Sequence, residues 1–130
     1  HAPGHLALYV EGDRVLLAGD MLSDIEVPLP DLAAADPVGD YERGLNVLAG
    51  VLAEGAEIVV PGHGSVATTP VEAAERLRRD RRYLAEVTRP RGPRGGNDAR
   101  LVRRSRTDWL WTQHQLLVDW PAVPPSPKAT

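Results

Sequence analysis

The sequence contains no cysteine and no phenylalanine, and only three tryptophans and three tyrosines are present among 130 residues. The absence of cysteine excludes disulfides and thiolate metal ligands. It also suits a reducing compartment, so we expect a cytoplasmic protein. A core has to be built mainly from leucine, valine and alanine, and the 42% hydrophobic content is sufficient for one domain. No apolar run of about 18 residues occurs, so we expect no membrane span.

Positive charge is scarce in residues 1–75, which hold thirteen Asp and Glu against two Arg. Residues 76–106 reverse this balance, with twelve Arg against three Asp and Glu. Such a block is typical of a solvated helix face followed by a flexible linker. The alternative is a surface that contacts RNA or an acidic partner, but few aromatic residues are interleaved with these arginines.

Short apolar runs and helical periodicities predict the element order β-β-α-β-α-α, which defines an α/β class. The first two strands form a hairpin around a Glu-Gly-Asp turn. The second helix has a strong start, because a threonine can cap it and a proline occupies its first position. One face of so small a sheet would lack a covering layer. The strands are predicted at 6–10, 14–18 and 57–60, and the helices from about Asp40, from Thr69-Pro70 and over about 100–118.

Composition divides the rest of the chain. Residues 88–98 are rich in Gly, Pro and Arg and predict a linker, and residues 99–120 carry the C-terminal helix. Residues 121–130 contain four prolines and predict a disordered tail. All three strands therefore fall within residues 1–87.

Three candidate metal ligands lie at strand ends or in the loops beside them. His1 precedes the hairpin, Asp20 follows the second strand, and His63 follows the third. Loops at one edge of a sheet can hold ligands in a defined geometry. Two imidazoles and a carboxylate suit Zn²⁺ or a similar cation, and a carboxylate can bridge two metals. Widely spaced histidines and aspartates also occur by chance, so the spacing by itself leaves an ordinary surface or core role open.

These positions belong to longer motifs. His1-Ala-Pro-Gly-His5 resembles the end of Pro-Gly-His-x-Pro-Gly-His, Leu-Ala-Gly-Asp20 resembles an apolar strand ending in Gly-Asp, and Val-Val-Pro-Gly-His63-Gly resembles a strand ending in Pro-Gly-His-Gly. The three motifs, in this order, are similar to the later metal motifs of the metallo-β-lactamase superfamily, and the similarity covers about residues 1–87. It implies the C-terminal half of an αββα sandwich that is incomplete without an N-terminal half.

The resemblance also assigns roles. It implies that His1, Asp20 and His63 are ligands of two zinc ions, with iron or manganese as alternatives, and that Asp20 lies between them. His5 directly precedes the strand, so it matches the second histidine of its motif and would support a ligand; in the other register His5 is the ligand. The family's His-x-His-x-Asp-His motif is absent from this sequence. It would provide the remaining ligands and the aspartate that helps orient or deprotonate the nucleophilic water, so no catalytic residue is identified here.

The chain begins inside a motif, and we expect a preceding segment that carries the missing half. The resemblance to glyoxalase II-like and β-lactamase-like hydrolases implies a binuclear hydrolase that acts on an ester, thioester, lactone or related small molecule, with this piece inactive by itself. Two alternatives remain: a nuclease of the same fold that acts on RNA, and a non-catalytic fragment or binding module.

Two further features of the sequence are less specific indications of a functional role. Acidic residues follow Asp20 in a long loop and predict either a solvated segment or a rim around the substrate entrance; they are Asp24, Glu26, Asp31 and Asp36. His114 lies on the last predicted helix and is expected at the helix surface or in a cap, with a place at the substrate entrance as the alternative.

Overall fold

The computed structural model describes residues 5–120. The predicted ligand His1 and the predicted tail at 121–130 lie outside the described residues. The α/β class is confirmed, and the predicted order holds as far as the second long helix. The elements are β1 (Leu8–Val10), β2 (Val15–Gly19), α1 (Pro37–Ala53), β3 (Ile58–Pro61), α2 (Pro70–Val87), α3 (Ala99–Val102) and α4 (Trp109–Asp119), with a turn of 3₁₀ helix at Glu11–Asp13 between β1 and β2.

The three strands form one sheet in the order β1-β2-β3. β1 and β2 are antiparallel, as the predicted hairpin requires, whereas β2 and β3 are parallel and connected through α1. Gly19 at the end of β2 lies opposite Pro61 at the end of β3. The Gly62 amide then donates a hydrogen bond to the Gly19 carbonyl over 2.6 Å. Because both strands end at the same sheet edge, the residues that follow them are brought together.

One face of the sheet packs into the core. Cross-strand partners share a face, and the partners Leu16 and Val59 are 1% and 0% exposed. Leu45 of α1 and Leu84 of α2 belong to the same buried cluster. The helices therefore cover this side of the sheet.

The opposite face of the sheet is apolar and open. Leu8, Val10 and Leu17 are 60%, 42% and 37% exposed. The pairing register places six apolar residues on this face, and all are at least partly exposed: Leu8, Val10, Val15, Leu17, Ile58 and Val60. The expected uncovered face is therefore present within the described residues.

Local capping sets the starts of both long helices. The Asp36 carboxylate accepts a hydrogen bond from the Gly39 amide, so α1 begins at Pro37, slightly before the predicted start. Thr69 accepts from the Glu72 amide over 3.1 Å, and Glu72 accepts from the Thr68 amide over 2.8 Å. The predicted start of α2 is confirmed, although Glu72 accepts from the amide just before the N-cap and not from the N-cap amide of a regular capping box.

The single helix predicted over about 100–118 is wrong, because two caps divide this segment. Asp98 accepts from the Arg100 amide at the start of α3, and Asp108 accepts from the Leu110 amide at the start of α4. Aspartate competes well for such positions and starts a new helix where a longer one would otherwise continue. Between residues 5 and 120, no helix has the length and apolar character needed to cross a membrane.

Candidate metal centre

Asp20 and His63 meet at the sheet edge where β2 and β3 end. The Asp20 Oδ1 and His63 Nε2 atoms are 3.7 Å apart, and these side chains are 39% and 59% exposed. Two donors bound to one tetrahedral Zn²⁺ at about 2.0–2.2 Å lie roughly 3.3–3.6 Å apart. The observed pair is close to that separation and open to solvent, so these two side chains fit a shared cation.

His5 lies directly behind Asp20. Its Nε2 atom accepts a hydrogen bond from the Asp20 backbone amide over 3.1 Å. Burial lowers the pKa of His5, which favours the neutral imidazole needed for an accepting nitrogen. This contact orients the backbone of the candidate ligand, and a supporting role for His5 at a metal site stays a prediction.

Gly19 provides the space for this contact. Its φ is +60°, and a Cβ built there would lie 2.2 Å from His5 Nε2. A side chain at this position would therefore displace the imidazole and strain the backbone. The glycine before Asp20 is required by the arrangement of His5.

We expect Gly19→Ala to lower the free energy of unfolding by about 2 kcal/mol, because a left-handed alanine costs roughly 1–2 kcal/mol and the His5 contact is lost as well. Chemical denaturation measures the change. Gly12→Ala is the matched control, since a Cβ at Gly12 meets no atom within 4 Å. Equal stability of the two variants would contradict the assigned role of Gly19.

Among residues 5–120, no group of three or more His, Asp or Glu side chains is arranged to hold a metal ion. Asp20 and His63 are thus two neighbouring side chains in the described structure and not a complete ligand set. The third predicted ligand, His1, lies outside it, so its convergence with the pair remains a prediction.

The loop that follows Asp20 is held by buried polar groups. Leu22 is fully buried with a left-handed φ of +59°, which is unusual for a leucine. Its amide donates to Asp80 Oδ2 over 3.2 Å, and Asp80 is 1% exposed on α2. The strained backbone two residues after Asp20 is thus stabilised by a carboxylate from a distant helix.

Arg100 of α3 occupies the centre of this region. Its side chain is completely buried and donates to the Ser23 and Glu26 carbonyls, each over 3.2 Å. It also donates to Asp80 over 2.5 Å and to both oxygens of Asp98 over 3.0 Å. One guanidinium therefore joins the Asp20 loop to α2 and α3.

The two carboxylates that contact Arg100 have different pKa values. Burial raises the pKa of Asp80 to about 6, although Arg100 and the Leu22 amide oppose the shift. Burial also acts to raise the pKa of Asp98, but hydrogen bonds and charge from Arg100 outweigh it and lower that pKa. Because two carboxylates share one cation, the deeper one accepts a proton more readily.

Arg76 links the two loops that carry Asp20 and His63. It is 7% exposed and donates to the Leu22 carbonyl over 3.3 Å and the Ser65 carbonyl over 2.5 Å. Ser23 adds a second link, since its hydroxyl donates to the His63 carbonyl over 2.9 Å. The backbones on either side of the candidate ligands are therefore tied to each other.

The sequence interpretation missed these buried arginines, because it treated residues 76–106 as a solvated block. The sequence of α2 did contain an indication of buried charge. Ala73, Leu77, Leu84 and Val87 form its buried stripe, and Arg76 and Asp80 are buried beside them. Charged residues next to an apolar stripe indicate a buried polar network. Arg100 gave no such signal.

The acidic residues after Asp20 have separate roles. Asp24 accepts from the Ser65 amide over 2.8 Å; burial would raise its pKa, but this bond and Arg76 lower it. Asp36 caps α1. Asp31 alone of the four lines a cavity of about 480 Å³ between this loop and α4, beside Leu29 and Trp109. Neither Asp20 nor His63 lines this cavity, so a rim around the substrate entrance stays a prediction.

The expectation that His114 lies at a helix surface or in a cap is wrong. It is 5% exposed, and its Nδ1 atom is 2.7 Å from the Tyr83 hydroxyl. The inward face of α4 carries it into the core with Leu110 and Leu117. The Tyr83 contact satisfies a polar group that would otherwise be costly to bury.

The sequence comparison supports the motif interpretation. Residues 1–63 match the family model described as the metallo-beta-lactamase superfamily, a range that begins at His1 and ends at His63. No curated protein and no solved structure shows significant similarity to the chain. The matched range contains all three motifs and the sheet whose edge joins Asp20 to His63. Residues 1–63 of this chain are therefore similar to the metallo-beta-lactamase superfamily, as the ordered motifs predict.

Proposed function

We propose that this chain contributes one side of a dinuclear metal centre in a hydrolase whose remaining ligands lie on an N-terminal half of the same fold. The observation that carries the proposal is the 3.7 Å approach of Asp20 and His63 at one sheet edge. The family match over residues 1–63 supports it. His1 would complete this chain's ligands, with Asp20 between the two ions.

The open sheet face supports the need for a second half. Exposed Leu8, Val10 and Leu17 form a continuous apolar surface across β1 and β2. Contiguous apolar surface is unfavourable in water and usually marks a contact with more protein. A second sheet packed here would complete an αββα sandwich and bring its own ligands to the same edge.

Zinc is the proposed metal, with iron or manganese as alternatives, and an ester, thioester or lactone is the proposed substrate. When bound, such ions supply Lewis acidity and an activated water near neutral pH. The chain's own residues position these donors. His5 orients the Asp20 backbone, and Arg76 and Ser23 hold the Asp20 and His63 loops together. This arrangement limits the motion of both donors before any metal arrives.

The test is metal analysis of the full-length protein, including any segment upstream of His1. We expect about two ions per chain and ester or thioester hydrolysis that a chelator removes. Asp20→Asn and His63→Ala should each lower metal affinity by about tenfold or more. Asp13→Asn is the control, because Asp13 is an exposed turn residue. A full-length protein that binds no metal would favour the binding-module alternative.

The nuclease alternative loses part of its basis. Six of the twelve arginines in residues 76–106 donate hydrogen bonds to groups within the protein: Arg76, Arg78, Arg81, Arg94, Arg100 and Arg104. Fewer cations therefore remain for phosphates. If RNA were the substrate, its affinity for the full-length protein would fall steeply with salt, so an affinity indifferent to salt would exclude this function.

A further inference from the structure

A second cavity lies between residues 92–97 and α4, on elements different from those that carry Asp20 and His63. Its volume is about 410 Å³, within the range of small-molecule sites. An adjoining cavity of about 600 Å³ shares Arg106, Trp111 and Gln115 as lining residues. The described residues that line the two cavities include no aspartate or glutamate.

Two guanidinium groups line the cavity. Arg94 donates to the Val87 and Val118 carbonyls, which anchors it at the ends of α2 and α4. The Arg106 guanidinium carbon is 3.8 Å from the centroid of the Trp111 ring. Among residues 5–120, Arg106 has no ion-pair partner, so stacking on the indole holds a cation whose charge is unopposed.

Trp111 supplies an unpaired donor. Its side chain is 9% exposed, and its indole Nε1 is buried without a hydrogen-bond partner in the described structure. It is the one buried side-chain polar atom among the described residues left unsatisfied. An indole nitrogen can only donate, and an unpaired buried donor is unfavourable. The donor belongs to a residue that lines both cavities.

His114 adds a further polar group. The Tyr83 hydroxyl and His114 Nδ1 share one hydrogen bond, so Nε2 is the ring nitrogen left for a further contact. This Nε2 atom is 3.7 Å from the position of a Cβ built on Gly96, so it faces the 92–97 segment. Burial, followed by the charges of Arg106 and Arg94, lowers the pKa of His114. The positive charges of Arg94 and Arg106 thus both act on the part of the cavity beside His114.

We infer that this cavity binds the oxyanion group, carboxylate or phosphate, of a small molecule. Arg94 and Arg106 supply the opposite charge, and the side-chain amides of Asn97 and Gln115 belong to the lining of the same cavity. The absence of acidic lining residues favours an anion over a cation. The site is independent of the proposed metal chemistry.

Calorimetric titration of the full-length, metal-free protein with inorganic phosphate and with succinate tests this site and separates the two oxyanions. We expect saturable one-to-one binding of at least one probe. Arg106→Gln should weaken it by about tenfold, and Trp111→Phe, which replaces the indole stacked on Arg106 by a smaller ring, should weaken it severalfold. Arg103→Gln should not change it, because Arg103 is exposed and does not line the cavity.

His63→Ala separates this proposal from the metal centre, since the cavity should bind its anion equally well in that variant. The inference is overturned if neither probe saturates below about 10 mM. It is also overturned if Arg103→Gln weakens binding as much as Arg106→Gln, because attraction by the general surface charge would then explain the result.

Discussion

Arg100→Met should lower the free energy of unfolding by about 3–5 kcal/mol, because the substitution leaves Asp80 and two carbonyl groups buried without their cation. Arg100 is fully buried and contacts Ser23, Glu26, Asp80 and Asp98. Guanidinium denaturation followed by circular dichroism measures the loss. If the methionine variant does not fold, Arg100→Lys provides the measurement. We expect a smaller loss, because lysine keeps the positive charge but lacks the planar guanidinium group that donates several hydrogen bonds.

The matched control is Arg103→Met. Arg103 is an exposed arginine three residues along the chain, directly after α3. We expect its substitution to change stability by no more than about 0.5 kcal/mol. If the two methionine variants lost equal stability, the buried network would not be the source of the effect.

The stability of the metal-free protein should depend on pH through Asp80. Its pKa in the folded state is about 6, above the ordinary aspartate value of about 3.9. Between these values the folded state binds more protons than the unfolded state. The free energy of unfolding therefore falls as pH rises, by roughly 2–3 kcal/mol between pH 4 and 7.

Asp80→Asn isolates this effect, because asparagine stays neutral at every pH. His5 and His114 have lowered pKa values in the folded state and act in the opposite direction as pH falls below about 6.5. Both proteins retain these histidines, so subtraction of the two pH profiles removes their contribution. A difference between the profiles that stays constant from pH 4 to 7 would show that Asp80 remains ionised throughout.

Local chemistry made much of the fold predictable. Thr69 and Pro70 define a helix start from neighbouring atoms alone, and the hairpin follows from two apolar runs and a turn. Asp20 and His63 could be placed together because each follows a strand, and the parallel pairing of β2 and β3 brings those ends to one edge.

The features that the sequence did not reveal depend on long-range contacts or on competition between signals. Arg100 meets Ser23, 77 positions earlier in the chain, and no periodicity records such a pairing. The division of the last helix followed from Asp98 and Asp108 acting as caps against a continuous helical pattern. His114 was misplaced because its partner Tyr83 lies on another helix.

The position of Arg100 in the chain has a consequence during synthesis. Ribosomes add about 5–20 residues per second, so roughly 4–15 seconds separate the emergence of Ser23 from that of Arg100. For most of that interval the backbone beside Asp20 has neither Asp80, 58 positions after Leu22, nor Arg100 to stabilise the left-handed turn at Leu22. Translation therefore has to pass α3 before the loop that follows Asp20 can be held in its final conformation.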